Sequence, residues 1–470
     1  MTNLLREMIG RHKAGDAAGV YSVCSAHPLV LAAAIRQTLA DGTFLLVEAT
    51  SNQVDQFGGY TGMTPADFRD LVFGLADRDG LDRARIVLGG DHLGPNRWRE
   101  RPAEGALALA EDQIAAYVAA GYTKIHLDCS MPCAGDPVPP GDELVAARAA
   151  RLLRVAEATA ARAGTQSSLS YVIGTEVPVP GGAHETLGKL TATPAAAARH
   201  TLACHRAAFA AVGLDGVWPR VAALVVQPAV EFDHLQVIDY DRGGTGELRT
   251  VLEDEPHLVF EAHSTDYQTG AHLAELVEDH WAILKVGPGL TFALREALFA
   301  LARIEDELLP EAERSHLAEV IDRVMLARPE YWEGYYPGGP AEQRLARRYS
   351  YSDRLRYYWP DPEIEAAVEQ LTANLSGTAI PLPLLSQYLP EQYARVRAGE
   401  LAATPHELVI DRVRDVLRTY AAAIKATKTT EVTEERGDAG GARGVEAENE
   451  AGNEVGSKAG NEDARGVVHV

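Results

Sequence analysis

An aspartate followed at once by a histidine, Asp91-His92, ends the run Arg85-Ile86-Val87-Leu88, with Gly89-Gly90 before the pair and Gly94-Pro95 after it. An apolar run halted by glycines reads as a buried strand, so the pair stands where a strand opens into a loop. A carboxylate there can carry a proton, and an imidazole can bind a divalent cation or share the proton transfer. Two residues also describe an ordinary capped turn, so the chemical reading depends on how the other strands end.

Apolar runs recur at 20–24, 44–49, 85–88, 124–128, 169–174, 221–227, 257–262 and 282–286, separated by Ala- and Leu-rich stretches of helical spacing at 29–40, 65–78, 111–120 and 143–161. Eight strands alternating with helices require a parallel sheet, because each parallel crossover needs a helix-length connection. That count predicts a (β/α)8 TIM barrel, whose active site collects on the loops after the strands. No GxGxxG follows the first run, where Cys24-Ser25-Ala26-His27 stands instead, which disfavours an open dinucleotide-binding sheet.

The loops after the strands are polar one after another. They carry Glu48 to Gln53, Asp91-His92, His126-Leu127-Asp128, Gly174-Thr175-Glu176, Gln227 to Asp233-His234, Glu261 to Asp266, and Lys285 to Gly289. Among them His92, His234 and His263 form a ligand set for a divalent metal, with Glu176 and Asp128 near by topology. Zinc suits imidazole and carboxylate at an open site, with Mn²⁺, Ni²⁺ and Mg²⁺ as alternatives. His126 alternates with Asp128 and either supports the site or ligates. Asn52, Gln53, Asp128, Ser264 and Asp266 are candidates for touching a substrate. Gly287-Pro288-Gly289 before a helix reads as a phosphate cradle or as a plain strand-to-helix turn. His184, His200, His205, His257, His272 and His280 lie on expected helices or ahead of strands and read as structural, and Cys129 and Cys133 as ordinary thiols.

The chain has 470 residues, 46% hydrophobic and 24% charged, with a net charge of −23. That balance suits a globular protein and repels nucleic acid and anionic membrane. Four cysteines, no signal-like N-terminus and no apolar run long enough to span a bilayer predict a reduced, cytoplasmic setting. The expected organisation is a barrel over 1–300, a helical extension over 301–426 and a disordered acidic tail over 427–470. The extension is rich in aromatics, with Arg344, Arg347, Arg348, Arg354 and Arg356 between them: either a solvated, salt-bridged face or, for one or two, a phosphate-facing role. From Glu431 to Val470 there are ten acids, four bases and no Phe, Tyr or Trp, too little apolar surface to offset ordering entropy.

Long runs, among them Ser22 to Pro28, Glu48 to Val54, Gln56 to Pro65, Gly89 to Asn96, Tyr171 to Pro178, Glu261 to Gln268 and Arg354 to Pro360, resemble the large accessory subunits of class II D-tagatose-1,6-bisphosphate aldolase. The resemblance covers roughly Ile9 to Ile424. It implies a barrel related to zinc-dependent fructose-bisphosphate aldolases, in which Asp91 would shuttle a proton and His92, His234 and His263 would hold metal. Glu176 would be a fourth or alternating ligand, with Gly181-Gly182 behind it. The His-Gly-Gly-Ser-Gly phosphate loop of those enzymes is here His263-Ser264-Thr265-Asp266, without its glycines. The resemblance implies three functions within carbohydrate metabolism. One is metal-assisted C3–C4 aldol chemistry on a phosphorylated ketohexose such as a tagatose or fructose phosphate. Another is the 4-epimerisation of such a sugar. The third is a non-catalytic role stabilising a smaller catalytic aldolase subunit, in an oligomer.

Overall fold

The computed structural model describes residues 3–16, 18–174 and 190–437, with side chains as far as 424. Among the described residues there are ten strands: β1 Val20–Val23, β2 Leu45–Thr50, β3 Ile86–Leu93, β4 Lys124–Leu127, β5 Ser170–Gly174, β6 Val221–Val225, β7 Glu231–Phe232, β8 Val237–Ile238, β9 Val259–Ala262 and β10 Ile283–Val286. Eight of them close into a parallel barrel in the order β1-β10-β9-β6-β5-β4-β3-β2, sealed where Val20 pairs with Ile283. Each expected apolar run supplies one barrel strand. The antiparallel hairpin of β7 and β8, inserted after the sixth barrel strand, was not expected.

The N-terminal helix is α1 Leu4–Arg11. The helices wound with the barrel are α2 Pro28–Asp41, α3 Pro65–Asp79, α4 Ala103–Ala119, α5 Asp142–Ala163, α6 Ala195–Ala211, α7 Gly270–Glu278 and α8 Pro288–Leu308. Local signals set their starts: Thr64 and Asp67 cap α3 reciprocally, with Pro65 at its first position. The extension adds α9 Leu317–Ala327, α10 Pro340–Tyr349, α11 Pro362–Ser376, α12 Leu382–Tyr388, α13 Pro390–Ala398 and α14 Pro405–Gly437. The compact unit that holds the barrel and the extension is Met1–Thr429, and α14 runs past residue 427 before the description ends. No described helix is long and apolar enough to cross a membrane.

Inside the barrel, alternation along each strand builds layers, because side chains two apart share a face. The lower layer is apolar: Val20, Leu46, Val87, Val172, Val259 and Ile283 cluster with Leu5, Met8 and Ile9 of α1, which plugs the bottom of the barrel. One layer up the filling changes to charge. Lys124 Nζ lies 2.7 and 2.8 Å from the two Glu48 oxygens and 2.8 Å from Glu261 Oε2, and all three side chains are 0% exposed. Gly89 makes this pairing possible. It lies between Glu48 and Lys124 in the sheet register, and a Cβ on it would stand 2.6 Å from Glu48 Cγ.

The chain after α1 is anchored by a histidine pair. Buried His12 places Nδ1 2.8 Å from Ala18 O and Nε2 3.0 Å from His280 Nδ1. Burial, with His280 and Lys13 adding repulsion, lowers the His12 pKa from 6.5 to about 4 although Ala18 O favours the cation. The unfolded chain therefore takes up this proton first. The contribution is complete above pH 6.5 and is lost as pH falls from there towards 4, by about 3 kcal/mol. Urea unfolding at pH 7 and pH 4.5 should show this loss, and a His12→Gln chain should lose less over the same interval.

Candidate active site

Asp91 and His92 are neighbours in sequence, so a regular strand would send them to opposite faces. A bulge prevents this. The β3–β4 register shifts between Gly90 and Leu93, and His92 takes a left-handed conformation at φ 50°. Both side chains therefore turn into the barrel mouth, both buried. Gly94 then passes so close to β4 that a Cβ on it would lie 1.7 Å from Asp128 O.

Around this bulge, Asp91, His92, His126 and His263 bring one ligand atom each to within 4.8 Å of one another. The three rings stand at centroid distances of 5.0, 4.9 and 5.5 Å. His126 and His263 follow from alternation, being two residues beyond the inward Lys124 and Glu261. Each ring is oriented by a carboxylate: His92 Nδ1 is 2.8 Å from Asp128 Oδ2, His126 Nδ1 is 3.1 Å from Asp91 Oδ1, and His263 Nε2 is 3.0 Å from Glu261 Oε1. Such carboxylate-to-imidazole contacts on the far nitrogen are how proteins hold metal-ligating histidines. His126 Nε2 is buried with no hydrogen-bond partner among the described residues, an arrangement that costs free energy unless a cation uses the lone pair. The residues fit a divalent metal.

The charges are strongly biased. Lys285 Nζ lies 2.5 Å from Asp91 Oδ1 and 3.3 Å from Glu48 Oε2. Burial opposes ionisation of Asp91, but His92, Lys285, His126 and His263 together hold it well below the usual carboxylate range. Burial likewise opposes the Lys285 ammonium, and Asp91, Glu48 and Glu261 override it and push its pKa up. The site is thus a set of fixed charges, floored by the Glu48–Lys124–Glu261 cluster.

A cavity opens above it, lined by Asn52, Gln53, Arg97, His263, Ser264, Asp266, Lys285, Arg356 and Tyr357 among others. Ser264, at φ 55°, is a second left-handed residue beside the site. The extension reaches this cavity because Tyr420 of α14 bonds Thr265 O at 2.9 Å and Tyr267 bonds Tyr351 O at 2.7 Å. Tyr357 is the one phenol at the site shifted towards neutrality: burial opposes ionisation, yet Arg356 and Arg354 bring its pKa down to about 8.

His234 does not join the Asp91, His92, His126 and His263 cluster: it lies at the tip of the β7–β8 hairpin, where its Nδ1 is 3.0 Å from Ser352 Oγ and its ring meets Tyr336 edge-on at 5.0 Å. His126, left open between support and ligation, stands in the cluster instead. Asp128, expected as a substrate contact, has one carboxylate oxygen on His92 Nδ1 and the other taking Ser130 N–H at 3.0 Å. Gly287 and Gly289 have their N–H groups on Asp266 Oδ1, at 2.9 and 2.7 Å. Asn52, Gln53, Ser264 and Asp266 line the cavity. Glu176, with Gly181, Gly182 and His184, lies outside the described residues. Lys124, Lys285, Glu48 and Glu261 were not singled out, although ionisable residues at alternate positions of apolar runs were a visible signal. All four cysteines are free.

Over residues 5–425 the sequence matches the family described as D-tagatose-1,6-bisphosphate aldolase subunit GatZ/KbaZ-like. The chain belongs to this family. A crystal structure of a probable tagatose 6 phosphate kinase from Sinorhizobium meliloti 1021 is similar to this GatZ/KbaZ-like chain at 50% identity and a TM-score of 0.80, covering 86% of this chain and 100% of that one. A slighter likeness, with a TM-score of 0.42 at 11% identity, links it to the fructose-bisphosphate aldolase (Fba) from Campylobacter jejuni, over 78% of this chain and 90% of that one. The GatZ/KbaZ-like chain is an aldolase-related protein of carbohydrate metabolism.

Proposed function

We propose that this chain carries out aldol-type chemistry at C3–C4 of a phosphorylated ketohexose, a tagatose or fructose phosphate, within its own barrel. The observation that carries this reading is the convergence of Asp91, His92, His126 and His263 at the floor of the cavity. His92, His126 and His263 would hold a divalent cation, zinc by donor preference, which when bound supplies Lewis acidity toward the C2 carbonyl. Mn²⁺, Ni²⁺ and Mg²⁺ remain candidates for the same donors.

The protein's own groups do the rest. Asp91, kept ionised by Lys285 and the histidines, accepts the C4 hydroxyl proton as the C3–C4 bond opens. The bond's electron pair passes to C3 as the enediolate forms over C2–C3, and C4 becomes an aldehyde. Lys285 stabilises the negative charge that remains near Asp91. Recombination on the same aldehyde face restores the substrate. Recombination on the opposite face, with Asp91 returning the proton, inverts C4, so aldol cleavage and 4-epimerisation use the same groups. Asn52, Gln53, Ser264 and Asp266 would orient the sugar, and Glu176 is kept as a supplementary acid or ligand.

The second reading is a stabilising role toward a smaller catalytic aldolase chain, favoured by the family's description as a subunit. Either form is placed in the cytoplasm, as an oligomer. The chain purified alone with Zn²⁺, Mn²⁺, Ni²⁺ or Mg²⁺ should interconvert fructose and tagatose 6-phosphates. EDTA should stop turnover, and Asp91→Asn should lower it by at least about 100-fold while the metal stays bound. No turnover by the chain alone, together with stimulation of a co-expressed small aldolase, would sink the catalytic reading.

A further inference from the structure

On the outside of the barrel, among the described residues, a second set of nitrogen, sulfur and oxygen donors comes together. His200 and Cys204 are four residues apart on α6, which puts them on one face a turn apart. Glu143, in the first turn of α5, reaches them from the neighbouring helix. His200 Nε2 is 3.6 Å from Cys204 Sγ and 3.6 Å from Glu143 Oε1, and the three residues bring one ligand atom each to within 4.8 Å of one another. The two helices are fixed against each other at the adjoining positions, where Thr201 Oγ1 donates to Asp142 Oδ2 at 3.0 Å. The next histidine of α6 turns inward: His205 is buried, with Nδ1 2.8 Å from Thr201 O.

Both distance and charge favour a cation here. A separation of 3.6 Å is too long for an N–H···O hydrogen bond. It matches the edge of a metal tetrahedron, because zinc ligands at roughly 2.0–2.3 Å and the tetrahedral angle stand about 3.3–3.8 Å from one another. Glu143 and Asp142 bring negative charge to the cluster, while the arginines of α6 are directed elsewhere, Arg199 to Thr250 Oγ1 at 3.3 Å and Arg206 to Glu255. His200 reads from the sequence as structural, yet its side chain is 57% exposed and that of Glu143 is 77% exposed, so a fourth ligand position is open to water.

We propose that Cys204, His200 and Glu143 form a second site for a thiophilic divalent cation, zinc by donor preference, joining α6 to α5 outside the barrel. The cation displaces the Cys204 thiol proton to solvent and takes a thiolate, a neutral imidazole and a carboxylate as ligands. The sulfur donor sets this site apart from the Asp91, His92, His126 and His263 cluster, and the proposal is independent of the ketohexose reading.

Cobalt titration of the intact chain, with its thiols kept reduced, tests it. Cobalt(II) held by a thiolate gives an intense near-ultraviolet charge-transfer band, which imidazole and carboxylate ligands do not produce. The intact chain should develop this band, zinc should remove it, and His126→Ala should retain it. Cys204→Ser should lack it. His200→Ala should need at least about 30-fold more cobalt to reach it, and Glu143→Gln at least about 5-fold more. No band in the intact chain, a band that persists in Cys204→Ser, or a His200→Ala titration within about 3-fold of the intact chain would overturn the site. Half-saturation only above about 1 mM cobalt would mark an adventitious ion only and would also overturn it. Should Cys204→Ser not fold, the His200→Ala and Glu143→Gln titrations decide, and an unchanged midpoint in both would sink the assignment.

Discussion

Replacing His126 with alanine should cost the chain its tight binding of divalent cations, and replacing His234 should not. The two residues are chemically equivalent, and by sequence order His234 is the more natural third ligand, following a barrel strand as His92 and His263 do. Position decides between them. His126 is buried 5.0 and 5.5 Å from the His92 and His263 rings, with its Nδ1 on Asp91 and its Nε2 without a hydrogen-bond partner among the described residues. His234 is engaged with Ser352 and Tyr336. Removing one nitrogen donor from a three-histidine set should weaken zinc by about 100-fold or more, since even the groups behind metal ligands are worth 10–100-fold. Competition against a chromophoric chelator would read this directly. His92→Ala and His263→Ala should match His126→Ala, while His234→Ala stays within about 3-fold of the unaltered chain. Retained affinity in His126→Ala, with loss in His234→Ala, would return the ligand set to the order of the sequence.

Lys124→Met should be among the most destabilising single changes available to this protein, by about 3–5 kcal/mol at neutral pH. The methionine is close to lysine in length and apolar, so little is lost in packing. What is lost is the cation between Glu48 and Glu261, two carboxylates buried at 0% exposure. Lys285 is the remaining nearby ammonium, at 3.3 Å from Glu48 and 3.7 Å from Glu261, and it also serves Asp91 at 2.5 Å. In the unaltered chain Lys124 and Lys285 outweigh burial and hold Glu261 well below the usual carboxylate range, so its ion pairs stabilise the fold above the ordinary glutamate pKa and weaken only in acid. With Lys124 gone the Glu261 carboxyl is easier to protonate than in the parent. The gap between variant and parent should therefore narrow as pH falls from 7 to 5. Urea unfolding of both chains across that range would measure it, and a constant gap would argue that the cluster acts through shape rather than charge.

The sequence by itself determined the alternation of strand and helix, and with it the barrel. Eight apolar runs separated by helix-length stretches admit few other parallel sheets, and each run became a strand. It also determined which side chains share a face along regular strands. Lys124, His126 and Asp128, like Glu261 and His263, are spaced by two, and period-two spacing alone sends them to one side.

Tertiary structure decided what local pattern does not encode. Asp91 and His92 both face inward because pairing with β4 forces a bulge, and pairing is a long-range event. His234 leaves the site because the segment after β6 folds into a hairpin directed at Ser350 and Ser352, more than a hundred residues later. The Gly287 and Gly289 amides are occupied because Asp266, from the loop of the adjacent barrel strand, reaches them. Arg356 and Tyr357 join the cavity because α14 and the Tyr267–Tyr351 contact fold the extension onto it. Spacing along the chain sets the face of a strand, whereas the groups that meet above the barrel are chosen by packing between distant segments.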